Sequence, residues 1–266
     1  MTELDLALTR TGAGEPVVLI HGIGHRRQAW DPVIDLLATD YEVIAIDLPG
    51  FGESPELPPG LAYDMPTTMA NFAGIFADLG IDRPHVVGNS LGGAIAVELG
   101  ARDLARSVTA LSPGGFWKPY DRRRALMLLG SLRLSAMMPE STLRRIARIP
   151  RLRNQTMAPI VAHPERISAE DFVADALAMA HAPAYKPTAR TAASYQCQAV
   201  PTVPTTIAWG TRDRVLPVRQ AAIARKRLPS ARHMSLPGCG HVPMIDDPEL
   251  VAQVIRIGLA EKAAAA

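Results

Sequence analysis

The chain has 266 residues, enough for one large domain or a core domain with an insertion, and can bury a sizeable core. With 48% hydrophobic and 20% charged residues and a net charge of +2, its composition is that of a globular protein. No apolar run reaches the length of a membrane span, and the two cysteines, Cys197 and Cys239, give no disulfide framework.

The acidic start Met1-Thr2-Glu3-Leu4-Asp5 has no apolar segment, so no signal peptide is expected, and reduced thiols point to a cytoplasmic location. Val17 to Ile20 reads as a short buried strand before a glycine loop, His21-Gly22-Ile23-Gly24. A helix over Gln28 to Ala38 follows. A second strand, Glu42 to Ile46, ends at the turn-rich Asp47-Leu48-Pro49-Gly50-Phe51-Gly52-Glu53-Ser54. Asp64 can cap a helix whose apolar positions Met65, Met69, Phe72, Ala73, Phe76 and Leu79 recur at helical spacing, with Gly80 as its stop.

Val86 and Val87 read as a strand entering Gly88-Asn89-Ser90-Leu91-Gly92, and a helix runs from Leu91 to Arg102. A strand, a tight glycine turn around a serine and a helix form the context of a G-x-S-x-G nucleophile elbow. Further strands read at Ser107 to Leu111, Thr205 to Trp209 and Arg232 to Leu236. A final helix is capped by Asp247 with Pro248 at its first position, and Ala263 to Ala266 reads as a frayed end. Alternating strands and helices imply a mostly parallel sheet covered on both faces, with sites beyond the carboxyl ends of its strands.

A serine hydroxyl becomes a strong nucleophile when a histidine accepts its proton and a carboxylate orients that histidine. His241, in Gly238-Cys239-Gly240-His241-Val242-Pro243, follows a strand at the active end of the sheet. Asp213 lies in the loop after the Thr205 strand, giving the chain order Ser90, Asp213, His241. His21 is read as a brace for its glycine loop. Asp103 falls in the turn after the nucleophile helix, Asp246 and Asp247 read as a helix cap, and Asp47 organises its own turn. The developing oxyanion needs fixed donors, which the backbone N–H groups of Ile23 and Leu91 can supply. Gly22, Asn89 and Val242 are expected to face substrate. No metal cluster and no phosphate-binding or dinucleotide glycine motif is present, so no cofactor is expected.

Taken together, His21-Gly22-Ile23-Gly24, the Asp47 to Ser54 turn, Gly88-Asn89-Ser90-Leu91-Gly92-Gly93, the Asp213 loop and Gly240-His241 resemble the α/β-hydrolase superfamily, and within it the cap-bearing serine hydrolases. The resemblance implies an α/β-hydrolase core over residues 1–113 and 196–266; the stretch 114–195, which breaks the alternation of strands and helices and reads as several helices without a strand, is expected to be an inserted helical cap. Epoxide hydrolases and haloalkane dehalogenases of this family carry aspartate where this chain has Ser90. The Gly88-Asn89-Ser90 elbow is similar to that of C–C bond hydrolases acting on aromatic ring-fission products. Val242 and Gly22-Ile23-Gly24-His25 depart from their pattern.

The leading expectation is a serine esterase for a fairly apolar substrate, without nucleic-acid partners and with its oligomeric state left open. C–C bond hydrolysis, cofactor-free perhydrolase chemistry and non-enzymatic ligand binding stay open beside it. From Gly115 to Tyr195 there are thirteen Lys and Arg against six Asp and Glu, and nine arginines fall between Arg122 and Arg153. The expectation is that they form the solvated face of cap helices whose apolar face covers the pocket. The alternative is that this basic, apolar face docks on an anionic membrane or an acyl-carrying anion and feeds lipid-like esters into the site.

Overall fold

The structure, a computed structural model, describes residues 5–260. The readings made at Met1 to Leu4 and at Ala263 to Ala266 lie outside the described residues. Seven strands make one sheet: β1 (Leu8–Thr11), β2 (Pro16–Ile20), β3 (Glu42–Ile46), β4 (His85–Asn89), β5 (Ser107–Leu111), β6 (Thr205–Gly210) and β7 (Arg232–Leu236), in the order β1-β3-β2-β4-β5-β6-β7. β1 pairs antiparallel with β3, and all other pairings are parallel.

The inner strands are apolar on both faces, as parallel strands covered on both sides must be. Alternation then divides each strand between two cores. Val18 and Ile20 point into one with Phe72, Phe76 and Leu99, while Val17 and Leu19 point into the other with Trp30, Val251 and Ile255. Each such fully buried side chain contributes about 1.5–3 kcal/mol.

Around the sheet lie α1 (Asp31–Leu37), α2 (Met65–Asp78), α3 (Leu91–Gly100), α9 (Arg219–Arg227), α10 (Pro243–Asp246) and α11 (Pro248–Ala260). Between β5 and β6 come α4 (Pro119–Ala136), α5 (Glu140–Ala147), α6 (Pro150–Met157), α7 (Ala169–His181) and α8 (Tyr185–Ala192). The Gln28 to Ala38 expectation resolves into a 3-10 turn, Arg27–Trp30, followed by α1, which begins where Pro32 suits a first helical turn. Asp64 caps α2 by accepting from the Thr67 N–H at 2.9 Å. Asp247 caps α11 by accepting from the Leu250 N–H at 3.0 Å.

Strand order positions the site. The chain runs from β2 outward to β3, then returns across β2 to β4, so the order reverses between β2 and β4. Ile20 is in register with Gly88 there, and the loop after β2 emerges beside the turn after β4. This is the crevice where open parallel sheets form their sites.

Candidate active site

Ser90 sits at the turn from β4 to α3 with φ 58° and ψ −111°. A non-glycine residue at positive φ costs about 1–3 kcal/mol and persists only where its surroundings fix it. Here the Ser90 N–H donates to the Leu111 carbonyl at 3.0 Å, and its carbonyl accepts from Ala94 and Gly114, each at 3.0 Å. The turn is tight enough that a Cβ on Gly88 would strike the Gly92 carbonyl oxygen, and one on Gly92 would strike that of Ile20. Leu91 is the first residue of α3, so its N–H has no intrahelical acceptor.

The loop after β2 passes directly over this turn, where a Cβ on Gly22 would stand 3.1 Å from Ser90 Cβ. The Gly22 carbonyl accepts from His21 Nδ1 at 2.7 Å and from the His25 N–H at 3.2 Å. His21 Nε2 accepts from the Leu48 N–H at 3.0 Å, which fixes a neutral imidazole with its proton on Nδ1. Complete burial pushes the His21 pKa down to about 4. His21 is therefore a brace for the loop, as its sequence context suggests. Asp47 organises its turn by accepting from the Glu53 N–H at 2.9 Å, and it also pairs with Arg27 at 2.5 Å.

Asp213 and His241 meet beyond the ends of β6 and β7. Asp213 Oδ1 accepts from the backbone N–H of Val215 at 2.9 Å and of Leu216 at 2.7 Å. Its Oδ2 is left for His241 Nδ1, at 2.8 Å. A carboxylate only accepts, so Nδ1 carries the proton and Nε2 of the neutral ring is the free acceptor. The Arg212 N–H donates to the Cys239 carbonyl at 2.8 Å and joins the two loops.

Among the described residues no hydrogen bond joins Ser90 Oγ to His241. Asn89 links their loops, its Nδ2 donating to the His241 carbonyl at 2.9 Å and to the Leu111 carbonyl at 3.2 Å. The expectation that Asn89 faces substrate is corrected here, because its amide is committed to the scaffold. Burial pushes the Cys239 thiol up to about 12 and that of Cys197 up to about 11, so both stay protonated and weakly nucleophilic.

Asp246 also differs from expectation. It does not cap α11. Its buried carboxylate accepts from the N–H groups of Gly240 at 2.6 Å, Ala162 at 2.9 Å and His163 at 2.7 Å. Beside it the His241 N–H donates to the Ile160 carbonyl at 2.7 Å. The His241 loop is thus stitched to the segment between α6 and α7. The only sequence signal was a carboxylate five residues after His241, and two of its three partners, Ala162 and His163, lie more than eighty positions earlier.

A cavity of about 450 Å³ opens at Ser90, Leu91 and Ile23. Phe72, Ile95, Trp117 and Leu129 are among its apolar walls, and the charged lining residue Asp64 is occupied in capping α2. A second cavity of about 150 Å³ is bounded by Gly24, Leu132, Met179 and Val242 among others. Val242 faces this smaller space. Among the described residues no group of three or more His, Cys, Asp or Glu could hold a metal ion, and no helix is long and apolar enough to cross a membrane.

The sequence model of the Alpha/beta hydrolase family matches residues 17–254. The chain belongs to this family. Among solved structures of the fold, an esterase from Thermogutta terrifontis superposes with a TM-score of 0.74 at 24% identity, over 96% of this chain and 92% of that one. Among curated relatives, Lipase 1 of Psychrobacter immobilis is 26% identical over 245 residues, covering 88% of this chain and 73% of its own. A 2-hydroxy-6-oxo-2,4-heptadienoate hydrolase of Pseudomonas putida is 39% identical over 102 residues, covering 37% of each chain.

Proposed function

We propose that the protein is a serine hydrolase that cleaves carboxylic esters with an apolar acyl group. Ser90 Oγ attacks the ester carbonyl while His241 Nε2 takes its proton, and Asp213 stabilises the resulting imidazolium. The N–H groups of Ile23 and Leu91 meet the oxyanion. Collapse expels the alcohol, which takes the proton from His241, and a water activated by the same nitrogen clears the acyl-enzyme. Ser90 turns toward His241 when substrate fills the site, a contact that often tightens only in the substrate complex.

The observation that carries this reading is the apolar cavity of about 450 Å³ reaching Ser90 and both proposed oxyanion donors. It also ranks ester hydrolysis above C–C cleavage, which the Pseudomonas putida relative makes the second reading. A ring-fission keto acid carries a carboxylate, and burying one calls for a cationic partner. Lys, Arg and His do not occur among the described residues lining that cavity.

The test is labelling by a fluorophosphonate together with turnover of p-nitrophenyl esters of increasing chain length. Labelling at one site and a preference for longer acyl chains are expected, both lost in Ser90→Ala. Faster turnover of a vinylogous keto acid than of any ester would favour the C–C reading instead. Tight ligand binding without turnover would make the protein a binder.

A further inference from the structure

Helix α4 carries apolar side chains on two opposite faces. Its inward face closes the site, with Ala125, Leu126 and Leu129 lining the larger cavity and Leu132 the smaller. Tyr120, Met127 and Leu134 are spaced by seven residues, which at 3.6 per turn places them on one line along the helix. They are 72%, 64% and 72% exposed, and Met137, just past the helix end, is 57% exposed. The expectation gave the outward side to arginines; the structure exposes Arg123 there together with this apolar stripe. The arginines at the helix flanks instead turn back, Arg124 donating to the Arg214 carbonyl and Arg133 to those of Met179 and Ala180.

Other arginines frame the stripe. Arg123 is exposed one turn from both Tyr120 and Met127, and Arg145, Arg148 and Arg151 are exposed on α5, α6 and the link between them. Among the described residues none of these four has a carboxylate partner. The single carboxylate between Arg122 and Arg153 is Glu140, which Arg144 engages at 2.6 Å. Ile149 and Leu152 add exposed apolar surface among these arginines.

We propose that this outward face docks on an anionic lipid surface, with Tyr120, Met127 and Leu134 entering the acyl boundary and the arginines meeting the headgroups. The charge distribution selects the occupant. A second copy seated on the same face would set uncompensated arginines against their own kind. An anionic membrane satisfies both the charge and the apolar stripe. The inward face of the same helix forms the wall of the apolar cavity, so an ester leaving the lipid layer reaches Ser90 without crossing bulk water. That delivery role rests on the proposed function. The docking itself does not.

The experiment uses the full chain as Ser90→Ala, so that binding cannot depend on turnover, sedimented with phosphatidylglycerol-containing and pure phosphatidylcholine vesicles. Binding to the anionic vesicles alone is expected, lost at 1 M salt, where the screening length falls to about 3 Å. Met127→Asp with Leu134→Asp, and separately Arg123→Glu with Arg148→Glu, should each weaken binding by roughly an order of magnitude or more. In the Ser90 background both should keep wild-type turnover of a short, water-miscible ester, which shows that they fold. Negligible binding to both vesicle types overturns the proposal. So does binding that survives both double substitutions. Concentration-dependent dimerisation without vesicle binding, abolished by Met127→Asp with Leu134→Asp, also overturns it and assigns the face to a second copy.

Discussion

The imidazole of His21 donates through Nδ1 to the carbonyl of Gly22 at 2.7 Å. The peptide between Gly22 and Ile23 is planar and trans, so holding its oxygen on one side aims the Ile23 N–H to the other. A second donor, the His25 N–H, grips the same oxygen. The proposed oxyanion donor is thus oriented by a residue that never touches substrate. His21→Phe should lower kcat by up to roughly a hundredfold, the scale of losing one such donor, with KM little changed. Steady-state kinetics on a p-nitrophenyl ester checks this, and an unchanged kcat in the folded variant would show the loop to be held by other means.

The same burial predicts a pH dependence of stability. Unfolded, His21 takes up a proton near its ordinary value of 6.5, whereas in the fold it resists protonation until about pH 4. The unfolded state therefore binds more protons in this window, and stability falls as the pH is lowered from about 6.5 to 4. A shift of this size corresponds to something on the order of 3 kcal/mol. Denaturant melts across that range should show the loss in wild type and a shallower slope in His21→Phe.

Asp246 holds three backbone N–H groups and spans two segments, so it acts on the site through the His241 loop. Asp246→Asn removes the charge and one accepting oxygen and leaves buried donors short of a partner. Charge-assisted hydrogen bonds contribute about 1.5–3 kcal/mol each, so a marked drop in melting temperature is expected together with a fall in kcat. Asp103→Asn is the control. Asp103 is exposed and pairs with Arg83 at 2.6 Å, so little change is expected.

Asp213→Asn separates geometry from tautomer. The amide can keep the shape of the loop but can present its NH₂ to Nδ1, which moves the ring proton to Nε2. Turnover should fall by up to about ten-thousand-fold, with the melting temperature nearly unchanged if Oδ1 still accepts from Val215 and Leu216. Activity within tenfold of wild type would move the orienting acid elsewhere.

The inner parallel strands were legible because strands buried on both faces read as short apolar runs, Val17 to Ile20 and Glu42 to Ile46 being examples, whereas β7, Arg232 to Leu236, is a half-exposed edge strand without such a run. β1 was not legible. Leu8-Thr9-Arg10-Thr11 forms an edge strand that is only half buried, so its sequence has no apolar run to announce it. At the site, Ser90, Asp213 and His241 each follow a strand, so glycine turns and strand ends mark them locally. The environments of Asn89 and Asp246 depend on carbonyls and N–H groups brought in from far along the chain, and side-chain identity carries no record of those. The outward face of α4 was hidden for a different reason. Leucine and methionine on both sides erase the helical period that would separate inside from outside.

The bond from the His241 N–H to the Ile160 carbonyl constrains how substrate reaches Ser90. Lifting the segment between α6 and α7 away from the sheet would break that bond and strip Asp246 of two of its three donors. The proposed base would come loose in the same movement. This edge is therefore expected to stay closed, with traffic into and out of the larger cavity passing on the side walled by residues of α2, α4 and α8. A crosslink closing that side should trap product inside, whereas one placed across Ile160 and Val242 should leave turnover intact.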